Sequence, residues 1–311
     1  MNKIICIAGP TASGKTALAV ALAKAIDGEV VSCDSMQIYK GMDIGTAKPT
    51  VEEMQGIPHY MLDVAEPGEA FSVSRYCELA DPIIGDICNR GKTAIIAGGT
   101  GLYMDALIRG NNFAPCPSTG MREKLESQAD AEGMEAMLQL LHSIDPDSAA
   151  RLHLKDRKRI LRALEVYYET GETITAHNLK TQQIPPKHQA VWFGLEDENR
   201  QDLYDRIDSR VEKMLADGLL TEIKELLASG VPEKSTAMQA IGYKEFIAYL
   251  NGQASLEASV SEVQQSSRHY AKRQLTWFRR NQNICWLRRK SGENTEQILH
   301  YARQHLAEFD K

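Results

Sequence analysis

Gly9, Pro10, Thr11, Ala12, Ser13, Gly14, Lys15 and Thr16 satisfy the spacing G-x-x-x-x-G-K-[ST]. That spacing supplies what a bound phosphate needs. Successive backbone N–H groups and a helix N-terminus form a nest for an anion, Lys15 adds a positive charge, and the hydroxyl of Thr16 can hold Mg2+. The expected ligand is a di- or triphosphate, and the motif taken alone is that of nucleotide- and ATP-binding loops. Two further segments offer chemistry. Asp34 can bind Mg2+, accept a proton or simply cap a helix. Gly98, Gly99, Thr100 and Gly101 form either a plain strand-to-helix turn or part of the same site. Arg206 and Arg210, four residues apart, fit a solvated helix face or a clamp on a leaving phosphate.

Such a loop works only between a strand and a helix, and the flanking residues meet that requirement. Ile4 to Ala8 reads as a buried strand, and the alanine- and leucine-rich run after Lys15 as a helix. Glu29 to Ser32 reads as a second strand ending just before Asp34, and Thr93 to Ala97 as a third ending at Gly98. Strands alternating with helices imply an α/β fold with a parallel sheet flanked by helices, in which ligands bind at the carboxyl ends of the strands. Three segments are therefore expected to converge on one crevice. The expected organisation is a P-loop core over 1–115, an inserted all-helical domain over 116–200 beginning near the turn-rich stretch NNFAPCPSTG, and a return to the core with a basic helical C-terminal region over 201–311. Apolar residues at 203, 207, 211, 214, 215, 219, 223 and 226 predict one amphipathic helix from Leu203 to Leu227.

Composition narrows the class. In 311 residues, 43% are hydrophobic and 25% charged, ordinary usage for a folded globular protein. The apolar run at Ile4 to Ala8 is too short for a signal peptide core or a membrane span, so a cytoplasmic protein with no membrane partner is expected. Cys6, Cys33, Cys77, Cys88, Cys116 and Cys285 have neither the close spacing nor the histidine neighbours of a zinc site or disulfide framework. The net charge of −6 hides two basic stretches: Arg151 to Arg162 holds six Lys/Arg, and Arg268 to Lys290 holds eight with no acidic residue. In the second, Tyr270, Trp277, Phe278 and Trp286 interleave with the cations, a composition suited to phosphate contact and base stacking.

With these residues in hand, the chain closely resembles the bacterial tRNA dimethylallyltransferases. The resemblance rests on GPTASGKT at 9–16, DSMQIYKGMDIGTAKP at 34–49, PHYMLD at 58–63, GGTGLY at 98–103, RILRALEVY at 159–167, QAIGYKEF at 239–246 and KRQLTWFR at 272–279. It implies transfer of a dimethylallyl group from dimethylallyl diphosphate to the exocyclic amine of the adenosine 3′ to the anticodon, in tRNAs reading codons that begin with U. It further implies Asp34 as general base, Thr100 and Arg210 beside it in the catalytic set, and Gly9 to Thr16 around the diphosphate, with Mg2+ on Thr16. Contacts to the tRNA anticodon stem-loop are implied for Asp34, Ser35, Met36, Gln37, Gly101, Arg122, Lys158, Arg159, Ile160, Leu161, Arg162, Gln239, Gly242, Lys244, Lys272, Arg273, Trp277 and Arg279. The chain is expected to act as a monomer.

The chemistry explains these residue types. An adenine amine is a weak nucleophile because its lone pair is delocalised, so most of the acceleration must come from stabilising the departing diphosphate. The reacting base must also leave its stack. A small-molecule kinase would share the loop and Mg2+ but would not need the basic stretches. An adenylate prenyltransferase needs no long RNA-facing surface, and a GTPase-like regulator lacks here an N-K-x-D segment and leaves Asp34 and Arg210 idle.

Overall fold

The computed structural model describes residues 4–110 and 119–309; the stretch 111–118, with Cys116 and the expected domain boundary at 115/116, lies outside the described residues. The chain divides into two compact units, Met1–Ile108 with His188–Lys311, and Arg109–Lys187. In the first unit β1 (Ile4–Ala8) is followed by α1 (Lys15–Ile26), β2 (Gly28–Ser32), α2 (Val51–Met54), β3 (His59–Tyr60), α3 (Val73–Asn89), β4 (Thr93–Gly98) and α4 (Gly101–Arg109). The second unit holds α5 (Met121–Ile144), α6 (Pro146–Ala149), α7 (Arg157–Thr170) and α8 (Ile174–Gln183). The chain then re-enters the first unit with β5 (Ala190–Asp197), α9 (Arg200–Ala216), α10 (Leu219–Ala228), α11 (Lys244–Leu250), α12 (Leu256–Phe278), β6 (Ile284–Arg289) and α13 (Thr295–Phe309).

The strands form one parallel sheet in the order β3-β2-β4-β1-β5-β6. Side chains of β1 alternate between its faces. Ile4, Cys6 and Ala8 join a core with Ile84, Leu107 and Phe278, whereas Ile5 and Ile7 join another with Leu18, Leu22, Phe193 and Leu306. Burial on both faces is why IICIA is continuously apolar rather than alternating. From β1 the chain runs to β2 and the edge strand β3, returns to β4 beside β1, and then crosses to β5 and β6 on the other side, which puts the loop after β1 at the point where a parallel sheet opens a crevice.

Three sequence expectations differ from the structure. The insertion was expected to run to 200, but the compact helical unit ends at Lys187 and Ala190–Asp197 is a core strand, in register with β1 from Ile4↔Ala190 to Ala8↔Gly194. Likewise the basic C-terminal stretch contains β6 beside β5, so Trp286 is partly buried against the core across Gly194, and Phe278 is fully buried, which removes Phe278 from base stacking. The helix expected from Leu203 to Leu227 is two helices, broken where Gly218 takes φ 106°, a backbone state that L side chains resist.

In the helical unit, Leu125, Ala129, Met137, Leu141, Ile160, Leu161 and Leu164 form its own core. The basic side chains of α7 lie off that apolar stripe: Lys158 and Arg159 are exposed, and Arg162 is half-buried against Glu165. No described helix is long and apolar enough to cross a membrane.

A buried carboxylate anchors the start of β2. Glu29 accepts both arms of the Arg90 guanidinium at 2.6 Å, the Tyr60 hydroxyl at 2.9 Å, and Lys92 at 3.1 Å. The Arg90 pair, outweighing burial, holds its pKa at about 2 rather than 4.5. A depressed folded-state pKa gives stability that is complete above the unfolded value and is lost as pH falls through the folded one. Acid unfolding followed by circular dichroism should therefore lose part of the folding free energy between pH 4.5 and about 2 in wild type, and Glu29→Gln should lack that component. An identical acid limb in the two proteins would remove Glu29 from this role.

Candidate active site

The phosphate loop is shaped by contacts from outside it. Gly14, with φ 88°, turns the chain into α1, whose N-terminus has no side-chain cap and no acidic residue in its first turn. The leading amides of the helix are thus available to an anion. Lys15 lies across its own loop, donating to the Pro10 carbonyl at 2.6 Å. Arg210 on α9 donates to the Thr11 hydroxyl at 3.2 Å. One turn earlier Arg206 donates to the Ala12 carbonyl at 2.9 Å and pairs with Asp197 at the end of β5, which also takes Nε of Arg289 at 2.9 Å. Burial pushes the Lys15 ammonium down to about 7, with Asp34 opposing and Arg210 adding to the shift. Burial lowers Arg210 as well, again against the pull of Asp34. The site is therefore a concentration of cationic groups short of negative charge.

The ends of β2 and β4 are tied into the same place. Cys33 N–H donates to Ala97 at 2.8 Å, and Thr100 N–H donates back to Cys33 at 3.2 Å. The Thr100 hydroxyl accepts the Ser35 N–H at 2.9 Å and donates to the Ser35 hydroxyl at 3.3 Å. Asp34 accepts the Met36 N–H at 2.9 Å through one oxygen; the residues that follow are turns, so it caps no helix. Among the described residues it has no second hydrogen bond, while it acts electrostatically on Lys15, Arg210 and Tyr270. Burial raises the Tyr270 phenol to about 12, with the Thr100 hydroxyl and Arg273 acting against it. The structure thus brings together Gly9 to Thr16, Asp34, Ser35, Thr100 and Arg210.

The expected RNA-contacting residues divide. Lys272, Arg273 and Lys244 are exposed, as are Gln239 and Arg279, which also bond to the Glu233 carbonyl and to Glu196 respectively. Trp277 is half-buried, its indole donating to Asp105 at 2.8 Å, and Arg280 lies 5.2 Å over the ring. Met36 packs against a core cluster. The Gln37 amide is turned inward, donating to Thr46 and Ala47 at 3.2 and 3.0 Å and accepting from Ser32. Gly101 is buried beneath Trp277, and buried Gly242 donates its N–H to Glu245 at 2.8 Å. In the helical unit Arg122 pairs with Glu126, and Lys158, Arg159 and Arg162 keep their polar ends off the core. Ile160 and Leu161 are a correction: both are 0% exposed in the unit's core, so neither can touch RNA.

Three supporting residues were not singled out from the sequence. Glu222 accepts the N–H groups of Asp43, Ile44 and Gly45 at 2.8, 2.7 and 3.1 Å and the Tyr243 hydroxyl at 2.6 Å, fixing the loop that follows Asp34. Asp197 joins the two arginines described above. Gln274 bonds to two loops at once, and its helical spacing from buried Ala271 and Phe278 is the one signal that could have found it.

The IPP transferase family model matches residues 37–281, and the isopentenyl transferase model matches residues 2–67. A tRNA dimethylallyltransferase of Acetivibrio thermocellus is 44% identical over 310 residues, covering 99% of each chain, and one of Thermoanaerobacter sp. is 45% identical over 307 residues, covering 98% of each. Among solved structures, a full-length tRNA isopentenylpyrophosphate transferase from Bacillus halodurans superposes with TM-score 0.75 at 40% identity, covering 100% of this chain and 97% of that one. A eukaryotic dimethylallyltransferase acting on tRNA superposes with TM-score 0.83 at 29% identity, over 99% of this chain and 80% of that one. Matches of this identity running end to end, over a sheet and phosphate loop that the sequence already called for, mean that this chain belongs to the tRNA dimethylallyltransferase (IPP transferase) family.

Proposed function

We propose that this enzyme transfers a dimethylallyl group from dimethylallyl diphosphate to the exocyclic amine of the adenosine 3′-adjacent to the anticodon, in tRNAs reading codons that begin with U, and releases diphosphate. The observation that carries the reading is the pairing of a cationic anion cradle with the Asp34 carboxylate, which acts on it electrostatically yet, among the described residues, is bonded only to a backbone amide. Such a pair suits a reaction whose leaving group is an anion and whose nucleophile must shed a proton. The names of the chain's relatives, which specify a dimethylallyl group and tRNA, support the same substrates.

In this mechanism the loop amides, Lys15 and Arg210 take up the negative charge that grows on the diphosphate as the allylic carbon–oxygen bond lengthens. The adenine amine attacks the carbon, and Asp34 receives the proton that bond formation makes acidic. Thr100 holds the Ser35 amide beside Asp34 and so sets the carboxylate's direction. The hard oxygen donors, a Thr16 hydroxyl and substrate phosphate oxygens, fit Mg2+, which when bound would further neutralise the diphosphate. Lys272 and Arg273 are exposed on α12 and, among the described residues, form no ion pair, a surface suited to an RNA backbone. The same reading has the chain acting as a monomer in the cytoplasm.

Purified protein given labelled dimethylallyl diphosphate should transfer label to unmodified tRNA. Equal transfer to free adenosine monophosphate would remove the tRNA assignment. Asp34→Asn should bind tRNA normally and lose turnover by roughly 100- to 10,000-fold, the usual worth of a general base; wild-type turnover would deny it that role. Lys15 sets a pH dependence. Its ammonium is half-neutral at about pH 7 in the free site, and a bound diphosphate restores the charge. Affinity for inorganic diphosphate should therefore be full below that pH and fall above it, by up to about tenfold per unit. Calorimetry at pH 8 in buffers of different ionisation enthalpy should register more proton uptake for wild type than for Lys15→Met; equal uptake would sink the idea.

A further inference from the structure

We propose that Gln274 is a positioning residue for the transfer, its buried amide setting the spacing between the leaving diphosphate and the base; this rests on the prenyl-transfer reading above. Gln274 is 5% exposed. Its Oε1 accepts the Thr11 N–H at 2.8 Å and its Nε2 donates to the Gly99 carbonyl at 2.9 Å. Both partners are backbone groups just past the carboxyl ends of β1 and β4. Thr11 carries through its hydroxyl the Arg210 contact to the phosphate loop, and Gly99 leads into Thr100, which holds Ser35 next to Asp34. One side chain therefore spans the two halves of the reaction, leaving-group support on one arm and base support on the other.

The bridge is close-fitting. A Cβ on Gly99 would lie 2.1 Å from the Gln274 Nε2, so the turn accommodates the amide only because that position is glycine. It also needs an amide, with one acceptor and one donor on adjacent atoms. A carboxylate would oppose the Gly99 oxygen with another acceptor, and a methionine would leave both backbone groups without their partner. Both arms end on backbone groups, so the residue acts through the geometry of what it holds.

Misalignment has a chemical signature. If the allylic carbon–oxygen bond breaks while the amine is out of line, water attacks the carbon. The new bond is to the water oxygen, diphosphate leaves with the bonding electron pair, the water proton passes to solvent, and the product is dimethylallyl alcohol. The ratio of alcohol to prenylated tRNA reads positioning in a way that simple loss of folded protein does not.

The test is steady-state reaction with labelled dimethylallyl diphosphate and tRNA both saturating, comparing wild type, Gln274→Met and Gly99→Ala, each checked by thermal melting. Gly99→Ala breaks the bridge from the other side and decides by the same criteria if Gln274→Met does not fold. In both variants kcat should fall roughly 10- to 100-fold, the cost of a misplacement of about 1 Å, with the alcohol-to-transfer ratio rising by a similar factor. The tRNA dissociation constant should stay within about twofold, since no RNA-facing group is altered. Unchanged kcat overturns the proposal, and so does a lower kcat at an unchanged product ratio, which would make Gln274 merely structural. A wild-type protein that prenylates no tRNA overturns the transfer reading instead.

Discussion

Backbone amides that are to grip an anion must be left unpaired by the protein, yet an unpaired loop collapses unless something holds it open. The loop after β1 meets that constraint by being braced at its rim. Gln274 and the Arg210 guanidinium hold Thr11, Arg206 holds the Ala12 carbonyl, and Lys15 reaches back to Pro10. These braces use carbonyls, a hydroxyl and the first amide, and leave the amides at the start of α1 facing the site. The parallel sheet beneath supplies the rigidity, since β1 is paired on both sides and buried on both faces.

The braces also create an electrostatic demand. Lys15 and Arg210 lie half-buried near one another, and lost hydration lowers the pKa of each. Asp34 offsets this in part, but its carboxylate answers two cations. A ligand carrying several negative charges relieves the deficit, and the relief is greatest when the charge is greatest, as on a diphosphate leaving an allylic carbon. The same field that binds the donor thus favours its departure.

Around this centre the first unit spends its remaining polar groups on orientation. Glu222 gathers three consecutive amides of the loop after Asp34, and burial beside that carboxylate raises the Tyr243 phenol far above its usual range. The helical unit solves a separate problem. It buries Ile160, Leu161 and Leu164 on one side of α7 and thereby holds Lys158 and Arg159 out toward solvent on the other. A basic run adjacent in sequence becomes a cationic face only because the apolar residues at helical spacing are consumed by the core.

The sequence by itself determined the local facts: the strand, loop and helix around Gly9 to Thr16, the polar breaks after β2 and β4, the parallel α/β class, and the family through its ordered blocks. Each depends on periodicity or on residues close in sequence. It did not reveal that Ala190–Asp197 and Ile284–Arg289 are strands, because buried parallel strands lack alternation and β6 lies within a run of cations and aromatics. Nor did it separate Ile160 and Leu161 from their basic neighbours, or mark Gln37 as turned inward. Tertiary structure alone decided that Gln274 meets Thr11 and Gly99, that Glu222 meets residues 43–45, and that Asp34 faces Lys15 and Arg210. The partners of Gln274 and most of those of Glu222 are backbone groups in distant segments, which every residue carries and no motif can mark, and the approach of Asp34 to Lys15 and Arg210 depends on how the sheet sets its strand ends.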